Sequence, residues 1–133
     1  MLKPIFIIVV IAFYINREIQ AVTLTEDQLR EQLRLQGFPE NQINTWICLI
    51  MAESSGRTDA VDPLNTDGSR DYGLFQINSR YWCSDSGQPG NGCNVRCEDV
   101  MTDDITLASQ CAKLIYKTQG FEAWTGWKNN CRG

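Results

Sequence analysis

The most informative stretch of the sequence runs from Asp71 to Cys83 and reads DYGLFQINSRYWC. Its segment from Tyr72 to Ile77 is rich in aromatic and branched residues, which is typical of a β-strand. The alternation is imperfect, so the pattern does not say which face of that strand is buried. An Asp67-Gly68 step lies just upstream and predicts a hairpin turn. One carboxylate, Asp71, therefore stands where a turn is predicted to enter a strand.

A second carboxylate, Glu53, lies at the end of an apolar run. The run has the i, i+3, i+4, i+7, i+8 spacing of a buried helical stripe, carried by Ile43, Trp46, Ile47, Ile50 and Met51. At 100° per residue, Glu53 lies within about 20° of Trp46 around that helix, so burial would raise the pKa of its carboxyl. The alternative is that the helix ends at Ala52 and that Glu53 is solvated. Position alone does not decide between the two.

Capping and breaker residues predict the helices and the fold class. Thr25 and Gln28 have the pattern of a capping box, which predicts a first helix over about residues 26–36. The second helix, with the apolar stripe, is predicted to start near residue 40 or 41. A third is predicted to start near residue 103 and to stop around residue 120. Two helices, a short β region, a cysteine-rich loop and a third helix predict a segregated α+β fold.

Composition excludes several functions. The 133 residues suffice for about one domain, and 12 basic against 16 acidic residues leave no basic stripe for nucleic acid. Histidine, the commonest metal ligand and general base, is absent from the sequence. The six cysteines include no Cys-x-x-Cys pair, so disulfides are a better interpretation than a thiolate metal site. We therefore expect no cofactor, no metal and no nucleic-acid partner.

The N-terminus indicates the compartment. Lys3 precedes an apolar run over residues 5–15, and a small residue follows at Ala21. This order is typical of a secretory signal peptide, expected over residues 1–21 and followed by a mature domain of residues 22–133. The alternative is an uncleaved membrane anchor. Cleavage would remove two basic residues and one acidic residue and leave a net charge of −5. We expect the mature protein to be secreted and extracellular, without membrane association.

The mature chain resembles the C-type (chicken-type) lysozymes, glycoside hydrolase family 22, along essentially its whole length. The resemblance is carried by stretches within residues 46–54, 65–69, 71–83, 104–106, 111–113 and 123–131. The stretch from Asp71 to Cys83 is the most specific of them. The resemblance implies a lysozyme-like α+β fold, in which a helical subdomain and a small antiparallel β subdomain enclose the active-site cleft.

The resemblance also implies an activity. It is that of a muramidase, which hydrolyses the β-1,4 bond between N-acetylmuramic acid and N-acetylglucosamine in peptidoglycan, with retention. Glu53 matches the family's general acid and Asp71 its second carboxylate, and lysozyme is the type case of such a pair. The apolar stripe would keep Glu53 protonated. Donors on Asn65, Ser69 and Asn78, at or near the second carboxylate, would keep it ionised.

A sugar-binding cleft is implied as well. Flat aromatic faces and polar or backbone contacts would come from Asn65, Gln76, Asn78, Tyr81, Trp82, Ala123 and Trp124. Core packing is the alternative for each aromatic residue, and for Trp127 it is the preferred interpretation. Tyr81 stands where many family members have tryptophan, which should lower affinity and leave the chemistry intact.

Disulfide pairing also comes from the resemblance, because six cysteines allow 15 connectivities. The family pattern implies the bridges Cys48–Cys131, Cys83–Cys97 and Cys93–Cys111. Family members usually have a fourth bridge from the first helix, at a position that is Asp27 in this chain. A bridge that closes a long loop contributes about 2–5 kcal/mol, so we expect a lower melting temperature than that of a four-bridge relative.

Some properties of relatives are not expected here. Calcium-binding members use aspartates before the third helix, where this chain has Asp99 and Asp104 but also Thr102, Leu107 and Ala108. Leucine and alanine have no side-chain oxygen, so we expect no calcium site.

The acidic charge contradicts a cationic membrane-active role. It favours hydrolysis at low pH or low salt, as in the digestion of bacteria, although defence against them remains open.

The main alternative is a lysozyme-like protein without catalysis that binds sugars or regulates a partner, as lactalbumins do. Such relatives typically lose the two carboxylates, whereas Glu53 and Asp71 are both present. The enzyme is therefore the favoured interpretation, with peptidoglycan polysaccharide as its partner and a monomer as its expected state.

Overall fold

A computed structural model describes residues 21–133 and shows a helical lobe beside a small β lobe. The helices are α1 (Glu26–Leu35), α2 (Ile43–Ser54), α3 (Thr106–Gln119) and α4 (Thr125–Asn130), and the strands are β1 (Asp71–Tyr72) and β2 (Ile77–Asn78). Short 3-10 helices lie at Glu40–Gln42, Cys97–Val100 and Phe121–Ala123. The fold is the predicted α+β class.

The expected signal peptide lies almost wholly outside the residues that the structure describes. Within the described part of the chain, no helix is long and apolar enough to cross a membrane.

Helix α1 begins with the predicted capping box. The Gln28 backbone N–H donates to Thr25 Oγ1 at 3.2 Å, and the Thr25 N–H donates to Gln28 Oε1 at 2.9 Å. Two otherwise unpaired backbone donors are thereby satisfied. Leu29 and Leu33 share the inner face of the helix and are fully buried.

Helix α2 forms the centre of the core. A 3-10 turn at Glu40–Gln42 precedes it, close to the predicted start. Its predicted stripe is buried except for Met51, which is only partly buried. The helix ends after Ser54, with Ser55 in the left-handed conformation at φ 55°. The alternative that the helix stops at Ala52 is therefore wrong, and Glu53 belongs to the last helical turn.

The Trp46 side chain is the hub of the aromatic core. Its ring centroid lies 4.9 to 5.9 Å from those of five other rings, namely Phe38, Phe75, Tyr116, Phe121 and Trp124. All five contacts are edge-to-face, an arrangement that aromatic pairs favour. One residue of α2 thus connects the helical lobe with both the β lobe and the chain beyond α3.

The predicted strand from Tyr72 to Ile77 is wrong as a continuous element. Asp71 pairs with Asn78 and Tyr72 with Ile77 in an antiparallel hairpin, so residues 73–76 form its turn. Leu74 and Phe75 are neighbours and both buried, whereas a strand with only one buried face buries alternate side chains. Gly73 permits the turn, because its φ is +78° and a Cβ there would lie 2.0 Å from the Val100 carbonyl oxygen.

The turn predicted at Asp67-Gly68 is confirmed. The Asn65 N–H donates to the Ser69 carbonyl at 2.8 Å, and an isolated antiparallel bridge joins Val61 to Tyr72. Strand β1 therefore has a paired segment on each side. This arrangement holds Asp71 in the middle of the β lobe.

Helix α3 begins at Thr106, somewhat later than predicted. The reason is that Asp104 acts outside the helix, where its carboxylate accepts the Thr106 N–H at 2.9 Å. The helix stops at Gly120, as predicted.

All three implied disulfides are present, and Cys48–Cys131 joins α2 to the end of α4 across 83 residues. Asp27, the position that the resemblance assigns to a fourth bridge, is exposed.

Candidate active site

An open cleft of about 450 Å³ lies between the two lobes. Residues of both lobes line it: Glu53, Asp62, Asp71, Gln76, Asn78, Tyr81, Trp82, Ile115, Gln119, Ala123, Trp124 and Thr125. Eight of the nine residues predicted for catalysis or sugar binding are in this set. The ninth, Asn65, is not in this set, but it donates a hydrogen bond to Asp71.

Glu53 is half-buried where α2 reaches the cleft. Burial raises the pKa of its carboxyl, because the charged form loses hydration. A hydrogen bond from the Gly126 backbone N–H to Oε1, at 2.7 Å, opposes that rise. The negative charges of Asp71 and Asp62 raise the pKa further. Burial is the largest of these effects, and a raised pKa is the direction that suits a general acid.

Gly126 is a functional residue that the sequence did not reveal. It lies in α4, and a Cβ at this position would be 2.7 Å from Glu53 Oε1 and 3.0 Å from Cδ. Glycine therefore allows the backbone to approach the carboxyl without displacing it. The only sequence signal is a glycine between Trp124 and Trp127. That signal gives no indication of a partner 73 residues away along the chain.

Asp71 has a polar environment that contrasts with that of Glu53. Asn78 Nδ2 donates to Asp71 Oδ1 at 2.9 Å, and Asn65 Nδ2 lies 3.4 Å from Oδ2. Ser69 does not donate to Asp71. Its hydroxyl accepts from the Asn65 and Asn78 amides at 3.1 and 3.0 Å, so it orients both donors.

A charged pair extends this hydrogen-bond network beyond Ser69. The Ser69 hydroxyl donates to Asp67 Oδ1 at 2.6 Å, and Arg80 Nη1 lies 3.1 Å from Asp67 Oδ2. The hydrogen bonds from the Ser69 side chain and backbone, followed by that from Arg80, lower the pKa of Asp67 to about 2. The Arg80 guanidinium also lies over the Tyr81 ring, 5.3 Å from its centroid. The sequence analysis predicted neither the Asp67–Arg80 ion pair nor the contact between Arg80 and Tyr81.

The three predicted aromatic residues line the cleft in different ways. Tyr81 is 59% exposed, and Trp82 is half-buried. Trp124 is only 4% exposed, and its Nε1–H donates to the Phe75 carbonyl at 2.8 Å. Trp124 is therefore part of both the core and the cleft wall. Trp127 packs on Phe121 with ring centroids 5.6 Å apart, consistent with the core role preferred for it.

Gln76 is held rigidly on the cleft wall. Its φ of 50° is unusual for a residue other than glycine, and its Nε2 donates to the carbonyls of Ala60 and Gly73 at 3.1 and 3.0 Å. Its Oε1 has no hydrogen-bond partner among the described residues. Asp62 also lines the cleft and was not predicted to do so. Neither its sequence neighbours nor any periodicity indicated a position in the cleft.

The aspartates considered for calcium have other contacts. Asp99 pairs with Arg96 at 2.9 Å, and Asp104 accepts hydrogen bonds from the backbone N–H and the hydroxyl of Thr106. Within residues 21–133, no three or more metal-ligating side chains are grouped so that they could hold an ion. The expectation of a metal-free protein stays a prediction.

A helical lobe and a small antiparallel lobe that enclose a cleft with two carboxylates define a lysozyme-like glycosidase. Comparison with known proteins identifies the family within this class: residues 22–133 match the model of the C-type lysozyme/alpha-lactalbumin family. The chain belongs to that family.

Several insect lysozymes are similar to the chain. It is 53% identical to a lysozyme of Galleria mellonella over 110 residues, covering 83% of this chain and 91% of that one. It is 54% identical to a lysozyme of Bombyx mori over 114 residues, covering 86% and 82%. A lysozyme of Hyalophora cecropia is 46% identical over 132 residues, covering 99% and 94%. These similarities support the glycosidase assignment.

Replacement of Asp62 tests the electrostatics of Glu53. Asp62→Asn removes a negative charge that raises the pKa of Glu53, so that pKa should fall. A general acid acts only when protonated, so the alkaline limb of the pH profile of kcat/KM should move to lower pH. The measurement uses a neutral chitooligosaccharide. The control is Asp59→Asn, an exposed position away from the cleft. An alkaline limb that stays in place or moves to higher pH would contradict the electrostatic account.

Proposed function

We propose that the protein is a secreted muramidase that hydrolyses the β-1,4 bond between N-acetylmuramic acid and N-acetylglucosamine in bacterial peptidoglycan. The observation that carries this proposal is the environment of the two carboxylates. Burial raises the pKa of Glu53, whereas Asp71, on the same cleft, accepts hydrogen bonds from Asn78 and Asn65. One carboxyl is thus suited to donate a proton and the other to face positive charge.

Glu53 would act first, as general acid. Its carboxyl proton passes to the glycosidic oxygen, and the bond from that oxygen to C1 of the sugar breaks. The leaving sugar departs as a neutral alcohol. Positive charge develops at C1 and the ring oxygen, where the Asp71 carboxylate stabilises it.

Asp71 would then form a bond to C1 and give a covalent glycosyl intermediate. Water attacks C1 on the face vacated by the leaving group, the bond to Asp71 breaks, and Glu53, now a carboxylate, accepts the proton of the water. Two displacements at C1 retain the β configuration. Proton NMR of a chitooligosaccharide digest should show the β anomer as the first product, and an α anomer first would exclude this route.

The aromatic side chains would hold the sugar rings. Tyr81 and Trp82 present accessible rings at one side of the cleft, where pyranose faces can pack on them. Gln76, Asn78 and the backbone of Ala123 supply the polar contacts. The Arg80 guanidinium on the Tyr81 ring would support that ring while a sugar lies against it.

The compartment and role are also part of the proposal. Three disulfides and an apolar segment after Lys3 are typical of a secreted protein. A mature charge of −5 gives no attraction to anionic cell walls, which favours digestion of bacteria over direct membrane killing. We expect a monomer to carry out this reaction.

Glu53→Gln is the direct test of the activity. Glutamine has nearly the same shape and can still accept the Gly126 N–H, but it cannot deliver a proton. We expect the wild type to clear a peptidoglycan suspension at acidic to neutral pH. The variant should lose at least about a hundredfold in rate, the usual contribution of a general acid.

Unchanged near-ultraviolet circular dichroism would show that the variant is folded. Clearing by Glu53→Gln at the wild-type rate would refute the role of Glu53. Absence of clearing by the wild type at any pH would leave only the lactalbumin-like binding role.

A further inference from the structure

We propose that Asn91 and Gly92 are positioning residues for the aromatic side of the cleft, and that they set the affinity for sugar rings that pack on Tyr81 and Trp82. This inference rests on the proposed function, which assigns sugar contacts to those two aromatic residues. Neither Asn91 nor Gly92 lines the cleft itself. Both act through the turn at residues 79–83, which carries the two rings.

The turn at residues 79–83 is held largely by a segment that follows it in the chain, residues 91–93. Four of the five carbonyl groups in the turn accept hydrogen bonds from this segment. Two of these bonds come from the backbone N–H groups of Gly92 and Cys93, which donate to the carbonyls of the two aromatic residues at 2.8 and 3.0 Å. The backbone of both aromatic residues is therefore fixed by residues outside their own turn.

The Asn91 side chain supplies the other two hydrogen bonds. Its Nδ2 donates to the Ser79 carbonyl at 2.9 Å and to the Cys83 carbonyl at 2.8 Å, so one amide group connects the first and last residues of the turn. The Asn91 backbone is left-handed, with φ 59°, a conformation that asparagine adopts more readily than most residues other than glycine. Asn91→Gly would keep that backbone conformation but lose both hydrogen bonds.

Gly92 leaves the space in which the Trp82 ring lies. A Cβ at residue 92 would be 2.6 Å from Trp82 Cε3 and 2.9 Å from Cζ3, closer than carbon atoms pack, whereas the Tyr81 carbonyl oxygen would be 3.2 Å away. The φ of Gly92 is not positive, so the Trp82 ring, and not the backbone conformation, is what favours glycine here. A larger residue would displace the ring from its position on the cleft wall.

A disulfide joins the segment at residues 91–93 to the helical lobe. Cys93 is bonded to Cys111 in α3, and Ile115 of the same helix lines the cleft. The turn that carries the aromatic rings directly follows β2 and thus belongs to the β lobe. Residues 91–93 therefore connect the aromatic wall to a helix on which another part of the cleft is built.

The two carboxyl groups lie outside this arrangement. Among the described residues, Asn91 and Gly92 make no hydrogen bond to the side chain of Glu53 or Asp71. Loss of the Asn91 amide or of the space at Gly92 should therefore weaken sugar binding and leave the chemical step nearly unchanged. KM should rise while kcat stays close to the wild-type value.

The test measures kcat and KM for the hexamer of β-1,4-linked N-acetylglucosamine. Gly92→Ala and Asn91→Gly should each raise KM by about fivefold, the equivalent of losing one aromatic contact, with kcat within about twofold of wild type. Gly90→Ala is the matched control, because a Cβ there would meet Ser84 Cβ at 3.2 Å and no aromatic atom within 4 Å. Its KM should stay within about twofold of wild type.

A second comparison separates positioning from general stability. In a Trp82→Leu background the ring atoms that a Cβ would meet are absent, so Gly92→Ala should change KM by less than about twofold there. Melting temperatures are recorded for every variant, because a residue that only stabilises the fold would lower the melting temperature and leave KM unchanged.

An unchanged KM for both Gly92→Ala and Asn91→Gly would overturn this inference, whatever their melting temperatures. A rise in KM that persists in full in the Trp82→Leu background would overturn the role assigned to Gly92. In each case the wild type would still cleave the hexamer, and the proposed glycosidase function would stand. If the wild type neither cleaves the hexamer nor clears peptidoglycan, the proposed function itself fails.

Discussion

The contact between the Glu53 carboxyl and the Gly126 backbone N–H, at 2.7 Å, is the constraint on which the rest of the site depends. It fixes a carboxyl at the border between an apolar helix and an open cleft. Helix α2 supplies the apolar side through the Trp46 cluster, and the Cys48–Cys131 bridge holds the end of α4 against α2. This close approach leaves no room for a Cβ at residue 126, so the contact requires glycine there.

The surroundings of Asp71 are polar, whereas those of Glu53 are largely apolar. Asp71 is reached by two asparagine amides, and those amides are oriented by a serine that is itself bonded to Asp67. A chain of short polar contacts therefore replaces the apolar packing around Glu53. Two carboxyl groups of similar intrinsic acidity can take opposite roles in such a cleft, because one loses hydration and the other retains polar partners.

Much of this architecture could be predicted from the sequence where the signal is local. The period of α2 located its buried face, and the capping box located the start of α1. The angular position of Glu53 on α2 did not decide between a buried and a solvated carboxyl. The hairpin turn at residues 73–76 was missed, because a run of apolar residues has the composition of a strand even when both neighbours are buried in a turn. The roles of Gly126 and Asp62 depend on contacts between distant segments, for which composition and spacing carry no signal. The disulfide pairing was available only through the family resemblance.

The most direct test of the account is the titration of the Glu53 carboxyl in the wild-type protein, followed by carbon-13 NMR. Burial of this group predicts a midpoint above the ordinary glutamate value of about 4.3. A Glu53 midpoint at or below that value would contradict the claim that the fold raises the pKa of this carboxyl.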